Sequence, residues 1–400
     1  MTAIIFLIVL AILIFVHELG HFIAARLCGI RVDAFALGFG PKLISWRFPT
    51  KHVITQGETE YSIRLIPFGG YVKIFGENPD YESVSGPDAH RSFVNKPRWQ
   101  QVIVLAAGVI FNFIFAWILY AMAFGMGITA LPDVFPQYVD RYHNERVMIT
   151  YVDPKSPADI AGIKIGDVLV ALDTVLGTST PPHVHAAHVS IDPTHPDESI
   201  TRVQKFIAQS SGSAVSVDVM RNEIEQRIVV QPKLNTQASN SPAQAYVIGI
   251  AMGDVVDFNM PVLSAISESG KYTLTFMRET IYGIFGLIGD IFKGKGSFDN
   301  VAGPVKIAGI VGDAAQFGFS SLLMTTALIS VNLGIINLFP IPALDGGRIL
   351  FVILEAIARR RIPAKFANIV NAVGFFLLMG LMVFITYREI APLVLKFLGW

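Results

Sequence analysis

From Met1 to Val16 the chain carries no charged residue, and beyond His17-Glu18-Leu19-Gly20-His21 the apolar run resumes as far as Ala25, where Arg26 ends it. As a helix, this stretch of about 25 residues is long enough to cross a ~30 Å hydrocarbon core. Comparable stretches recur at about 102–128, broken only by Asn112, at about 320–339, which carries Asn332 and Asn337, and at about 366–387. Lipid offers the backbone no hydrogen-bond partner, so each must be a helix and the chain must be a multi-span bundle. Composition agrees: 52% of residues are hydrophobic and 16% charged, against ~25% charged in ordinary soluble proteins. Thirty-one basic residues balance 31 acidic ones, which leaves no basic footprint for nucleic acid and no charge excess to drive disorder. Cys28 is the single cysteine, so an intrachain disulfide and a Cys-rich zinc module are both excluded. The first run lacks the basic leader and small-x-small cleavage site of a secretory signal.

Four spans put both termini on one side of the membrane. Between Arg26 and Arg98 lie ten Lys or Arg residues, and between Arg348 and Lys365 five against the single acid Glu355. Lys and Arg mark cytoplasmic loops, so both loops are expected inside, with the termini and the segment 129–319 outside. Within that segment, residues 260–293 are apolar but carry Glu268, Lys271, Arg278, Glu279 and Asp290. That pattern predicts helices lying on the outer membrane surface rather than a fifth span. Gly289-x-x-x-x-Gly294-Lys295 imitates a phosphate-binding loop, but Gly296 stands where Ser or Thr must hold magnesium, and we discard it.

Residues 145–235 read as an aqueous module. A strand at 147–152 precedes Ser156-Pro157-Ala158, a short helix through Ala161, Gly162, Gly166-Asp167 and a strand at 168–172; a helix at 199–209 and a hairpin around Arg221-Asn222-Glu223 follow. This order resembles a bacterial PDZ domain, which binds extended peptides by strand addition; the alternative is an α+β spacer that caps the membrane part. An insert holds His183, His185, His188 and His195, spaced either for a metal site or as an exposed Pro-rich loop.

His17-Glu18-x-x-His21 carries the strongest chemistry. Residues four apart share one helix face, so both imidazoles can ligate one metal ion while Glu18 takes a proton from the attacking water. Ionisable groups inside a membrane span are functional by default. His17 and His21 precede Arg26 by nine and five residues, roughly 7–14 Å at 1.5 Å per residue, so the metal is expected within the cytoplasmic leaflet. Two histidines leave a catalytic zinc short of its usual third protein ligand. Asp345, after the helix-breaking Pro340-Ile341-Pro342, is the candidate; its alternative role is to cap the helix that begins near Arg348.

Together these motifs resemble the site-2 protease family of intramembrane zinc metalloproteases, and most closely its bacterial branch that carries a PDZ domain and controls envelope-stress sigma factors. The resemblance covers essentially the whole chain, including Gly38-Phe39-Gly40-Pro41, the run Tyr61–Lys73, Gly303-Pro304-Val305 and Pro340-x-Pro342-x-Leu344-Asp345-Gly346-Gly347. It implies one zinc per chain on His17, His21 and Asp345, with Glu18 as catalytic base. It also implies substrate contacts at Asn332, Asn337, Gly38 and Gly40, although the two asparagines are equally suited to helix–helix hydrogen bonding. Ser62–Leu65 and Gly70–Phe75 read as paired strands around Pro67-Phe68-Gly69, and the family places such a β-hairpin partly in the membrane beside the zinc. Better-known members carry two PDZ domains in tandem; this chain has room for one.

The expected fold is therefore a polytopic α-helical membrane protein with four transmembrane helices, a membrane-associated β-hairpin region and one extracytoplasmic α+β PDZ domain. The first span with H-E-x-x-H takes 1–27, the re-entrant β region 28–98, and the second span 99–128. The PDZ domain with its His-rich insert takes 129–235, membrane-surface helices 236–317, and the last two spans with the Leu-Asp-Gly motif 318–400. The resemblance implies a multi-pass protein of the bacterial inner membrane that cleaves single-span membrane proteins, such as an anti-sigma factor or a signal-peptide remnant. The PDZ domain would meet a peptide C-terminus or trimmed end. Rival functions are an inactive membrane-anchored PDZ adaptor, told apart by turnover, and a metal transporter, told apart by zinc flux in liposomes and indifference to Glu18.

Overall fold

The structure is a computed structural model that describes residues 2–47, 59–78, 80–130, 132, 136–174, 188–192, 196–221, 223–234, 246–294 and 302–398. In chain order it begins with α1 (Thr2–Leu27), β1 (Val32–Arg47), β2 (Glu60–Ile74), α2 (Tyr81–Ser85) and α3 (Arg98–Met126). Then come β3 (Ile128–Ala130), β4 (Tyr142–Val152), α4 (Pro157–Ala161), β5 (Val168–Thr174), β6 (His188–Ser190) and α5 (Pro196–Gln209). Strands β7 (Val215–Arg221), β8 (Ile224–Val230), β9 (Lys233–Leu234), β10 (Tyr246–Val247) and β11 (Ile250–Phe258) follow. The chain ends with α6 (Val262–Phe292), α7 (Pro304–Gln316), α8 (Phe319–Leu338), α9 (Asp345–Ala358) and α10 (Ala364–Leu398). Two compact units result: Met1–Met122, Val262–Ala315 and Leu322–Trp400 form the first, and Ala123–Pro261 with Gln316–Ser321 the second.

In the first unit, four helical stretches are long and apolar enough to cross a membrane among the described residues: Thr2–Leu27, Arg98–Met126, Phe319–Leu338 and Lys365–Ala391. The 31-residue α6 is not among them; its five charged side chains dilute the apolar run. Glycines allow the helices to approach closely. A Cβ at Gly20 of α1 would lie 2.4 Å from the Ala107 carbonyl oxygen of α3, and one at Gly334 of α8 would lie 2.7 Å from the Phe113 ring. Ser330 of α8 donates to the Asn112 carbonyl of α3 at 2.8 Å, tying the helices where lipid supplies no alternative partner. Glu389 on α10 accepts from the Gly303 and Val305 backbone N–H groups at 2.6 and 3.1 Å, placing a carboxylate where the start of α7 leaves its donors unpaired.

Strands β1 and β2 form a long irregular antiparallel ribbon with repeated register shifts, from Val32↔Ile74 to Leu37↔Gly70 and from Lys42↔Arg64 to Arg47↔Glu60. The expectation that Ser62–Leu65 pairs with Gly70–Phe75 is therefore corrected. Both find their partner in β1, whose residues Ala34–Leu37 pair with Glu60–Ile63 and also with Gly70–Lys73, so β1 runs between the two segments. Ile30, Val32, Phe35, Val72 and Ile74 bury against Ala24, Ala25, Val104, Leu105 and Val352, so the ribbon shares one core with α1, α3 and α9.

The second unit is a mixed-length sheet in the order β3-β11-β4-β5-β7-β8, with β6 pairing β5. Val147, Ile149, Leu169, Leu172, Val217 and Val219 pack beneath Val203 and Ile207 of α5. Strand, short helix, strand, helix and hairpin follow the order read from the sequence. The range 236–317 differs from expectation: it opens with β10 and β11, and β11 lies between β3 and β4 at the heart of the sheet. Gly253, Asp254 and Asp257 interrupt its apolar alternation, which hid the strand. His183, His185 and His195 lie outside the described residues; His188 faces Asp173 at 2.6 Å through Nδ1.

Arg221 grips the buried Asp167 with two hydrogen bonds of 2.7 and 2.6 Å and also donates to the Gly162 carbonyl at 2.9 Å. The β7–β8 hairpin is thereby fixed to the Gly166-Asp167 turn. Replacing Arg221 with Met leaves that carboxylate buried without its counter-ion, although the Lys164 N–H still donates to it at 2.9 Å, at an expected loss of about 3 kcal/mol, read as faster limited proteolysis of the second unit in the full-length protein. Burial pushes the Asp257 carboxyl up, but Arg146, Thr129 and Asn144 outweigh it and hold the group below its ordinary value. A carboxyl whose folded value is depressed stabilises above its unfolded value and loses that contribution as pH falls through the folded one. Arg146→Gln is expected to flatten the acid dependence of thermal unfolding below about pH 4.

Candidate active site

His17 and His21 are both buried on α1, one turn apart, as the helical period requires. Asp345 reaches them from the other end of the chain. The segment between α8 and α9 turns back on itself: Ala343 adopts φ +76, and its backbone N–H donates to Asn371 of α10 at 3.2 Å. Glycines 346 and 347 are required there, since a Cβ would lie 2.1 Å from the Leu338 carbonyl oxygen or 2.3 Å from that of Ile341. Leu344 rather than Asp345 occupies the cap position and makes no side-chain cap bond. Asp345 is the first helical residue, and its carboxylate turns toward the histidines.

Asp345 Oδ2 lies 3.0 Å from His17 Nε2 and 3.3 Å from His21 Nε2, and the two Nε2 atoms are 3.2 Å apart. The other ring nitrogens are engaged. His21 Nδ1 donates to the Val104 carbonyl at 2.8 Å, which leaves Nε2 with its lone pair. His17 Nδ1 faces the Asn112 carboxamide at 3.1 Å. The amide atom nearest it is Nδ2, while Asn112 Oδ1 is buried without a partner; exchanging the two amide atoms satisfies that oxygen, gives His17 Nδ1–H its acceptor and leaves His17 Nε2 a lone pair.

Three lone-pair atoms thus meet in a buried place, and Asp345 Oδ2 is a buried oxygen without a hydrogen-bond donor. Such a cluster repels itself unless a cation sits within it. Two imidazoles and one carboxylate, each imidazole anchored through its remote nitrogen, suit a divalent ion of the zinc type with a position left open. Among the described residues this trio is the one group of His, Cys, Asp or Glu gathered closely enough to hold a metal.

Glu18 lies beside the trio. A cavity of ≈220 Å³ is lined by His17, Glu18, His21 and Asp345 together with Tyr71, Glu77 and Arg348. Val72 of β2 gives Glu18 a backbone hydrogen bond, and a Cβ at Gly70 would lie 3.6 Å from Glu18 Cγ. The ribbon therefore passes directly across the carboxylate. Arg348 and Glu77 form an ion pair at the cavity wall.

The residues singled out as substrate contacts lie elsewhere. Asn332 accepts from Thr280 at 2.9 Å, a bond between α8 and α6, and Asn337 is half-buried near the end of α8. Gly38 and Gly40 adopt φ +88 and +81 within β1, and a Cβ at Gly38 would lie 2.6 Å from the Ile66 carbonyl oxygen. None of the four lines the cavity. Sequence reasoning had noticed Asn112 only as a polar break in an apolar run. It passed over Gly108, where a Cβ would lie 2.4 Å from His21 Nε2 and 2.7 Å from His17 Cε1. The available signal was their spacing: four apart, they share the face of α3 that meets the histidines.

A bundle of apolar helices enclosing a His, His, Asp cluster with an adjacent glutamate defines a membrane-embedded hydrolase of the metal-dependent kind. The chain belongs to peptidase family M50, which it matches over residues 5–381. It is 32% identical over 97% of its length to a protein of Agrobacterium fabrum, covering 95% of that protein. A Clostridium perfringens protein is 33% identical over 94% of this chain and 95% of its own length. One from Synechocystis is 34% identical over 95% and 92%. Each of the three carries the name "Putative zinc metalloprotease".

The imidazoles are pinned at Nδ1, so they cannot swing away from a new methyl group on Gly108. Gly108→Ala and Asn112→Leu are each expected to weaken zinc binding about 10–100-fold, measured by chelator competition on purified protein that still unfolds cooperatively.

Proposed function

We propose that the protein is an intramembrane zinc metalloprotease that cleaves single-span membrane proteins. The observation that carries this reading is the convergence of His17, His21 and Asp345 on one buried point, with Glu18 lining the same cavity. One zinc ion held by those three residues would polarise the scissile carbonyl and acidify the attacking water. Glu18 takes the proton of that water on its carboxylate and passes it to the leaving amide nitrogen. The Val72 N–H orients the Glu18 carboxylate, while Val104 and Asn112 fix the two imidazole rings.

The ribbon supports the same reading. A substrate helix keeps its peptide bonds in its own hydrogen bonds, so it must unwind before attack. An extended segment that adds to the ribbon edge beside Glu18 regains backbone partners there. The excess of Lys and Arg in the loops 26–98 and 348–365 supports an inner-membrane orientation with both termini outside and the metal site in the cytoplasmic leaflet. In this reading, α6 rests on the outer surface, and the second unit acts as a PDZ domain that receives a trimmed peptide end. Substrates of the anti-sigma-factor or signal-peptide-remnant kind suit that arrangement. A PDZ adaptor without activity has no use for Glu18 poised beside a full ligand set, and a metal transporter has no use for a base.

Glu18→Gln is expected to retain zinc and to lower cleavage of a co-expressed single-span substrate by ~10²–10⁴-fold. Wild-type turnover by that variant would remove Glu18 from the mechanism.

A further inference from the structure

The β1–β2 ribbon carries a second cavity, of ≈630 Å³, lined by Arg31, Lys42, Arg47, Arg64 and Lys73 against the carboxylates Asp33 and Glu60. Five cations face two anions. Lys42 and Arg47 share Glu60. Arg31 pairs with Asp33 at 2.8 Å and with Asp88 at 2.8 Å; among the described residues Lys73 makes one ion pair, with Asp33 at 3.8 Å, and also feels the Asp80 carboxylate. Arg64 has neutral partners, donating to the Gly40 carbonyl at 2.8 Å and the Tyr71 hydroxyl at 2.7 Å, while its buried Nε has no acceptor. A guanidinium whose hydrogen-bond partners are neutral, beside an exposed ammonium whose ion pair is long, can take an oxyanion as counter-ion.

The other exposed side chains of the ribbon point to the class of anion. Leu43, Ile44 and Leu65 of the same ribbon are 59%, 60% and 56% exposed, and Phe39, Trp46 and Ile66 are exposed as well. Trp46 stacks on Tyr61 and Phe39 on Tyr71, each pair within 15° of parallel. Exposed aliphatic side chains, aromatic rings and basic groups on one element are the signature of a surface that sits at the headgroup level of a bilayer. A soluble anion would need the cations but not the exposed apolar side chains carried by the same ribbon.

We propose that this cavity binds the phosphodiester headgroup of an anionic phospholipid, held by Arg64 and Lys73, with the exposed apolar side chains of the ribbon among the acyl chains. Tyr71 lines both this cavity and the one that holds Glu18, so the bound lipid becomes a neighbour of the active site. The assignment goes beyond the protease reading and stands without it.

The test is binding of the full-length protein, reconstituted in nanodiscs of phosphatidylcholine, to phosphatidylglycerol added as a fluorescent analogue. Saturable binding is expected in wild type, at least tenfold weaker in Lys73→Gln and in Arg64→Gln. Lys73 is exposed, so its replacement leaves folding intact, and zinc content serves as the control in both variants. Inorganic phosphate is expected not to displace the lipid; displacement at millimolar concentration would assign the site to a free anion and overturn the proposal. Equal binding by wild type and Lys73→Gln, or equal binding to phosphatidylcholine, would also overturn it.

Discussion

A carboxylate and two imidazoles held about 3 Å apart and largely buried are the constraint on which the first unit depends. Removing such groups from water is expensive, and they repel one another unless a cation offsets both costs. The rest of the unit keeps them there. Helix α1 supplies both histidines because the helical period puts residues four apart on one face. Helix α3 supplies the bracing, through the Val104 carbonyl and Asn112 on the remote ring nitrogens and through Gly108, where a larger residue would press on the rings, and Gly20 of α1 lets the two helices approach. Helix α9 supplies the carboxylate, and it begins at Asp345 only because the preceding segment turns back on itself.

That turn would be untenable alone in lipid, where free backbone groups find no water. Here protein supplies partners to three of its N–H groups: Asn371 accepts from Ala343 N–H, and Leu344 N–H and Gly347 N–H find carbonyls within the turn at 3.2 and 3.1 Å. A Cβ at Gly374 would meet Pro342 at 2.5 Å, so α10 packs directly on the turn. The irregular backbone that carries Asp345 to the two histidines is thus stabilised by the last helix of the chain, which otherwise presents most of its surface outward.

Much of this was legible in the sequence because the signals were local or strongly periodic. Apolar runs of span length located all four candidate membrane helices, and H-E-x-x-H declared its own geometry. In the second unit the order of strand, short helix, strand, helix and hairpin followed from turn residues such as Ser156-Pro157 and Gly166-Asp167. What escaped were relations between distant segments. Nothing near Ser62 or Gly70 says that both pair with residues 32–47 rather than with each other. Strand β11 becomes recognisable only between its partners β3 and β4. Asn112 and Gly108 have meaning only once α1 lies against α3. The family resemblance pointed to Asp345, but it also pointed to Asn332, whose visible partner is Thr280 on α6 rather than any atom of the catalytic cavity.

Hydrolysis within a membrane needs water and an unwound peptide in the same place, and the cavity walls answer the two needs separately. Glu18, Glu77 and Arg348 give one set of lining residues that water can wet, whereas Val72, Ile74 and Leu105 give another that it cannot. The apolar set includes two β2 residues, from the strand whose Val72 N–H orients Glu18. A peptide lying along that strand would therefore be desolvated by the same element that replaces its lost backbone hydrogen bonds, while the charged residues keep water at hand. Because Val72 serves at once as apolar wall, orienting donor and part of the ribbon, a shift of β2 would disturb all three functions together. The position of the ribbon is then the variable on which the chemistry turns.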